Sequence, residues 1–203
     1  MSIRAVIFDL GGVILRTEDQ TPRARLVERL GISREQMYYH VFDSPSAQQA
    51  TVGKMSAVSH WEAVRQALGL SPEEFPSVME DFWAGDRLDT DLVSEIRLLR
   101  PRYKTALLSN AWDNLRQALE RDWGIADAFD EMFISAELGL AKPDSRIYRL
   151  ALERLNVAPP EAVFVDDFLD NVIAARQLGI HTVHFRNPAQ ALGELRALLD
   201  GQP

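Results

Sequence analysis

A chain of 203 residues, 46% hydrophobic and 26% charged, holds enough apolar material for one full core, or for a core domain carrying an insertion. A net charge of −8 argues against nucleic acid and anionic membranes as partners but leaves small anionic ligands open, because those respond to local charge. The absence of cysteine excludes disulfides, thiolate chemistry and cysteine-ligated zinc or iron–sulfur centres.

The first β-rich run is Ala5-Val6-Ile7-Phe8, which ends at Asp9 and enters the turn Leu10-Gly11-Gly12-Val13. From about residue 16 to 87 there is no convincing β run. Helical apolar spacings take over: Leu26-Val27-Leu30, Met37-Tyr38-Val41-Phe42, Val58-Trp61-Val64-Leu68 and Phe75-Val78-Met79-Phe82. Ser71-Pro72-Glu73-Glu74 has the form of a helix start, with serine as cap and proline behind it. Tyr38, Tyr39 and Trp83 fall at helical spacing and read as core, or as the lining of a pocket under a lid.

Beyond residue 87 strands and helices alternate. A helix over 92–99 precedes a strand over 105–108 that ends in Ser109-Asn110. A helix over 115–120 precedes a strand over 132–134 that ends in Ser135. A helix over 147–155 precedes a strand over 162–165 that ends in Asp166-Asp167, and a helix over 169–178, capped by Gly179, leads to a fifth candidate strand over 182–185. Residues 199–203 are expected to fray. The β runs are continuously apolar, as befits strands covered on both faces. The expected fold is therefore α/β: a doubly wound parallel sheet of residues 1–15 and 88–203, with a small helical cap of residues 16–87 inserted after the first strand. No basic N-terminal segment leads into a long apolar stretch, and no run reaches membrane-spanning length, so a cytoplasmic protein is expected.

Ligands of open α/β sheets bind at the carboxyl ends of the strands. There the sequence sets Asp9, then Ser109 and Asn110, then Asp166 and Asp167, with Lys142 in the loop Ala141-Lys142-Pro143-Asp144. Converging carboxylates repel one another unless a hard cation joins them, and Mg²⁺ prefers a few carboxylates plus water and phosphate oxygens. Lys142 and Ser109 suit the remaining phosphoryl oxygens, and the main-chain N–H groups of Leu10, Gly11 and Asn110 add donors. Singly, each element is as well explained by a turn or a cap; the four together fit phosphoryl transfer to an aspartate, with a small phosphorylated metabolite as the partner.

Phe8-Asp9-Leu10-Gly11-Gly12-Val13, Leu107-Leu108-Ser109-Asn110, Lys142-Pro143-Asp144 and Phe164-Val165-Asp166-Asp167 with Asn171 resemble, in order and spacing, the four motifs of the haloacid dehalogenase-like hydrolase superfamily. Leu138-Gly139-Leu140-Ala141-Lys142-Pro143 resembles most the branch of the bacterial α-glucose-1-phosphate phosphatase and the N-terminal phosphatase domain of soluble epoxide hydrolase. The resemblance implies that Asp9 is the nucleophile and a Mg²⁺ ligand. It implies a metal-binding carbonyl on Gly11, direct ligation by Asp167, and ligation by Asp166 directly or through water. Ser109 and Asn110 would bind the phosphoryl group, and Lys142 would neutralise it and orient Asp9.

One position departs from the pattern. Most phosphatases of this superfamily carry a second aspartate two residues after the nucleophile as general acid and base; here stands Gly11. Three explanations are open. The substrate has a good leaving group, such as a sugar 1-phosphate or an acyl phosphate. Or the acid comes from Glu18, Asp19, His40, Asp43 or His60. Or the protein is catalytically weakened and binds a phosphorylated ligand. The superfamily's dehalogenases also attack with aspartate, but use no metal and favour tyrosine where Gly11 stands. Its phosphonate hydrolases need a cap lysine, for which Lys54 is the only candidate.

Overall fold

The computed structural model describes residues 2–201. Its strands are β1 (Ala5–Phe8), β2 (Leu15–Thr17), β3 (Asp86–Leu88), β4 (Lys104–Ser109), β5 (Glu131–Ile134), β6 (Ala162–Asp166) and β7 (His181–His184). Five of these form one parallel sheet in the order β5-β4-β1-β6-β7. The chain winds outward from β1 through β4 and β5, then returns to β6 and β7 on the other side. β1 is thus central, and the winding reverses beside it. Phe8 is in register with Leu107 on one side and Val165 on the other, so Asp9, Ser109 and Asp166 emerge at neighbouring strand tips.

The continuous apolar runs are explained by burial on both faces. Ala5, Ile7, Ala106, Leu108 and Phe164 pack against Ile147, Tyr148 and Ala151 of the helix Ser145–Leu155. Val6, Phe8, Leu107, Val163 and Val165 pack on the other face with Leu92, Val93 and Ile96 of the helix Thr90–Leu99. The first of these helices is capped by Asp144, which accepts from Arg146 N at 2.9 Å, and the second by Asp89, which accepts from Leu92 N at 2.8 Å. Gly179 follows the helix Leu169–Gln177 at φ 87°, a left-handed turn that suits glycine. The helix Pro188–Asp200 covers 199 and 200, where fraying is expected; Gln202 and Pro203 lie outside the described residues.

Between β2 and β3 lie α1 (Thr21–Leu30), α2 (Arg34–Tyr38), α3 (Pro45–Thr51), α4 (Ala57–Ala67) and α5 (Phe75–Trp83). They bury Leu26, Met37, Val41, Val64, Val78 and Phe82 together, a cluster separate from those of the sheet. Ser71 does open the approach to α5: its Oγ accepts from Glu74 N at 3.2 Å, and Glu74 Oε2 accepts from Ser71 N at 2.9 Å. Val58, counted above with the apolar face of α4, is 79% exposed instead. The expectation of no strand here also needs correction. β2 and β3 pair antiparallel, Leu15 with Leu88 and Thr17 with Asp86, as a ribbon at the root of the insertion. Three-residue strands are too short to show a period of two. Among the described residues no helix is long and apolar enough to cross a membrane.

Candidate active site

Lys142 is the hub of the strand tips. Its Nζ lies 2.9 Å from Asp9 Oδ1 and 2.7 Å from Asp166 Oδ2, and the residue is only 4% exposed. Asp9 Oδ1 also accepts from Leu10 N at 2.7 Å. Asp166 is wholly buried and saturated: Phe168 N donates to Oδ1 at 2.7 Å, and Asn171 Nδ2 stands 3.1 Å from both oxygens. Asp167 faces the cavity above Asp9. Asp166 therefore fixes Lys142, and Lys142 fixes Asp9.

Three carboxylates facing one ammonium leave an excess of negative charge at a largely dry spot. Burial pushes the Asp9 carboxyl up to about 7; Lys142 pulls it down and the Asp166 charge pushes it up again. Asp167 is raised as well, by desolvation first and by Asp166 second. One oxygen from each of Asp9, Asp166 and Asp167 lies within 4.8 Å of the others. A hard divalent cation fits this set by charge, by ligand chemistry and by spacing.

The turn after β1 is built around Gly12. It sits at φ 74°, and a Cβ there would stand 2.0 Å from Asp167 Oδ2. Gly12→Ala is expected to displace Asp167, to weaken Mg²⁺ binding at least tenfold by calorimetry, and to cost more than about 1 kcal/mol in urea unfolding. Wild-type Mg²⁺ affinity in that variant would show that Asp167 does not need the space. Gly11 is different. It is exposed to the cavity, lies outside the left-handed region, and a Cβ there would meet nothing within 4 Å.

Ser109 is 4% exposed and lines the cavity, and among the described residues its hydroxyl has no hydrogen-bond partner. The Asn110 side chain is used differently from expectation. Its Nδ2 donates to Lys142 O and its Oδ1 accepts from Lys142 N, both at 2.8 Å, so it holds the lysine loop. Asn110 is exposed and lines the cavity, so its main-chain N–H and the second hydrogen on Nδ2 remain for a phosphoryl group. Two residues named in the sequence only by position act as positioning groups. Asn171 clamps Asp166 from the helix behind it, and Ser135 at the tip of β5 both accepts from Ala111 N at 2.9 Å and donates to Ala111 O at 3.1 Å.

The candidate replacement acids do not line the cavity. Glu18 is exposed and paired with Arg16 at 2.9 Å, and Asp19 is exposed, accepting from Thr21 N at the start of α1. Asp43 is exposed at the end of a wide helical turn, and His40 packs on Tyr39. Lys54 is exposed and outside the cavity too. His60 is buried, with Nδ1 2.9 Å from Ser46 Oγ and Nε2 3.0 Å from Val41 O. Desolvation lowers its pKa, so the folded protein takes up its proton less readily than the unfolded chain. Stability is therefore expected to fall as pH drops below about 6.5, and His60→Gln should flatten that acid limb in urea unfolding between pH 7 and 5. An unchanged limb would assign it to other groups.

The cavity holds about 1070 Å³ between the strand tips and the inserted helices. Besides Asp9 and Asp167, the only carboxylate lining it among the described residues is Asp86, already bound by Arg23 and Thr17.

This architecture recurs in a magnesium- and phosphate-bound HAD family enzyme of Bacteroides thetaiotaomicron, with a TM-score of 0.73, 23% identity, and coverage of 91% of this chain and 95% of that one. The chain is 27% identical to a sesquiterpene phosphatase of Aspergillus oryzae, across 98% of its own length and 97% of the relative. It is 28% identical to the mouse bifunctional epoxide hydrolase 2 over its whole length, but spans only 40% of that protein. The family model of the haloacid dehalogenase-like hydrolases matches residues 3–179, the stretch that carries every strand tip described above. The chain belongs to the haloacid dehalogenase-like hydrolase family.

Proposed function

We propose that this enzyme hydrolyses small phosphomonoesters with Mg²⁺, through an aspartyl phosphate formed on Asp9. Residues 1–15 and 88–203 act as the catalytic core and residues 16–87 as a cap that closes over the substrate. The observation that carries the reading is the Lys142 ammonium held between Asp9 and a saturated Asp166, beside the unpartnered hydroxyl of Ser109.

In this reading a carboxylate oxygen of Asp9 attacks phosphorus, and the bond from phosphorus to the leaving oxygen breaks. Lys142, Ser109 and the main-chain N–H groups of Leu10, Gly11 and Asn110 hold the phosphoryl oxygens as negative charge spreads over them. Asp9, Asp167 and the Gly11 carbonyl, with Asp166 directly or through water, would hold Mg²⁺, which would supply neutralisation of phosphate charge. Water then attacks the same phosphorus, releasing inorganic phosphate and restoring the Asp9 carboxylate. With Gly11 where an acid is usual, the leaving oxygen departs unprotonated or draws its proton from solvent. That favours esters of acidic hydroxyls, of which sugar 1-phosphates and acyl phosphates are examples. The branch of glucose-1-phosphate phosphatase and the epoxide hydrolase phosphatase domain is the nearest setting for such an enzyme, supported by the motif residues and by the identity to the mouse relative.

A screen of phosphomonoesters with and without Mg²⁺, beside Asp9→Asn, tests this. Expected is Mg²⁺-dependent multiple turnover that the variant lacks. Turnover of a 2-haloacid in EDTA, with none of any phosphate, would transfer the protein to the dehalogenase reading.

A further inference from the structure

All four tryptophans of the chain, Trp61, Trp83, Trp112 and Trp123, line the one cavity above Asp9. Three of them form a continuous aromatic wall with Phe42. Trp61 and Trp112 are 4.9 Å apart, ring centre to ring centre, and at right angles. Phe42 lies 6.4 Å from Trp112, nearly parallel to it at 19°, and 6.2 Å from Trp83. The wall begins three residues past Ser109, since Trp112 is on the loop leaving β4. At the mouth, Phe42 is 40% exposed although it packs on the wall, and Phe168 is 61% exposed.

The polar groups of the same cavity are already committed to one another. Arg23 donates to both oxygens of Asp86, at 2.8 and 2.9 Å, to Phe82 O at 2.8 Å and to Tyr38 Oη at 2.7 Å. Thr17 Oγ1 donates to Asp86 Oδ1 at 2.7 Å. Beyond the strand tips, Thr51, the exposed Asn114 and Gln48, and the indole N–H groups are the other polar groups of the lining, and Gln48 Nε2 already donates to Asp43 O at 3.0 Å. Few side chains are thus placed to hold the several hydroxyls of a sugar directly.

We infer that the alcohol part of the substrate is a flat apolar aromatic ring system, so that the ester is an aryl phosphate. This deepens the phosphatase reading and rests on it. Two separate observations meet in it. The wall supplies faces for an aromatic ring to stack on. The bare position at Gly11 asks for a leaving oxygen that needs no acid, and a phenolic oxygen has a pKa of roughly 10, against roughly 16 for water-like alcohols. A carboxylate oxygen of Asp9 bonds to phosphorus, the bond from phosphorus to the aryl oxygen breaks with its electron pair staying on that oxygen as phenolate, and solvent protonates it.

The test compares naphthyl phosphate, phenyl phosphate and glucose 1-phosphate with Mg²⁺. Naphthol and phenol leave with like ease, so their ratio reads the wall and not the chemistry. Expected is a kcat/KM about tenfold higher for naphthyl than phenyl phosphate, with both above glucose 1-phosphate. Trp112→Ala should bring the naphthyl-to-phenyl ratio towards one, and Trp112→Leu serves if the alanine variant does not fold. Naphthylmethylphosphonate should quench tryptophan fluorescence at concentrations at least tenfold below those methylphosphonate needs. Equal kcat/KM for the two aryl esters, or a preference for glucose 1-phosphate, overturns the inference and leaves the phosphatase reading standing. No turnover of any phosphate overturns the phosphatase reading itself.

Discussion

Replacing Asp9 with asparagine is expected to lower kcat by at least about 10⁴-fold, the scale on which loss of a nucleophile is felt. The same change should stabilise the magnesium-free protein above pH 7. In the folded protein the Asp9 carboxyl keeps its proton up to about 7, whereas its ordinary pKa is 3.8. The folded state thus binds more protons than the unfolded chain between about pH 4 and 7, and stability falls as pH rises through that window. Asparagine has no proton to lose. Its advantage at pH 8 should be on the order of 2 kcal/mol, less than the full shift because Lys142 gives up one partner and keeps Asp166. Urea unfolding in EDTA at pH 5 and pH 8 reads this directly. A variant less stable than wild type at pH 8 would mean that attraction to Lys142 outweighs burial. Added Mg²⁺ should raise the wild-type Tm more than the variant's, because the cation binds the ionised carboxylate.

Gly11→Asp should act in the opposite direction on rate. The backbone at Gly11 is outside the left-handed region and a Cβ there would meet nothing within 4 Å, so a side chain can start from this position without backbone strain. General acid–base help is worth about 10²–10⁴-fold where a site is organised for it. An unrefined site should recover about 10- to 10²-fold in kcat/KM for primary alkyl phosphates, whose leaving oxygens most need a proton. Aryl phosphates should change much less, so the alkyl-to-aryl ratio is the quantity to measure. An unchanged ratio with Mg²⁺ affinity intact would show that position 11 does not face the leaving oxygen.

Much of this architecture was legible because burial writes continuous apolar runs. The strand at Ala5–Phe8 matches residue for residue, and β4 to β7 match within a residue or two, since the central strands, covered on both faces, carry continuous apolar runs. The β2–β3 ribbon was invisible because three residues carry no period. The helix expected over 115–120 widens after Gln117 into a π-helical turn ending at Asp122, a change of hydrogen bonding that apolar spacing does not record. In the site, the strand tips were readable as residue types, but their division of labour was not. By residue type, Asn110 and Asp166 read as ligands of the phosphoryl group and the metal; both also hold the lysine loop, Asn110 through the main chain of Lys142 and Asp166 through Lys142 Nζ, while Asp166 keeps an oxygen within 4.8 Å of those of Asp9 and Asp167. The aromatic wall was hidden for a different reason. Trp61, Trp83 and Trp112 are far apart in sequence, and each alone resembles ordinary core.

The walls of the cavity do not all belong to the insertion. Trp112 leaves the strand that carries Ser109, and Phe168 sits two residues past Asp166, so part of the substrate-facing surface rides on the catalytic loops themselves. A chimaera that took only residues 16–87 from a relative would exchange Phe42, Trp61 and Trp83 and keep Trp112, Trp123 and Phe168. On the proposed reading, selectivity is therefore not a detachable module: to graft a new preference, the loops after β4 and β6 would have to travel with residues 16–87.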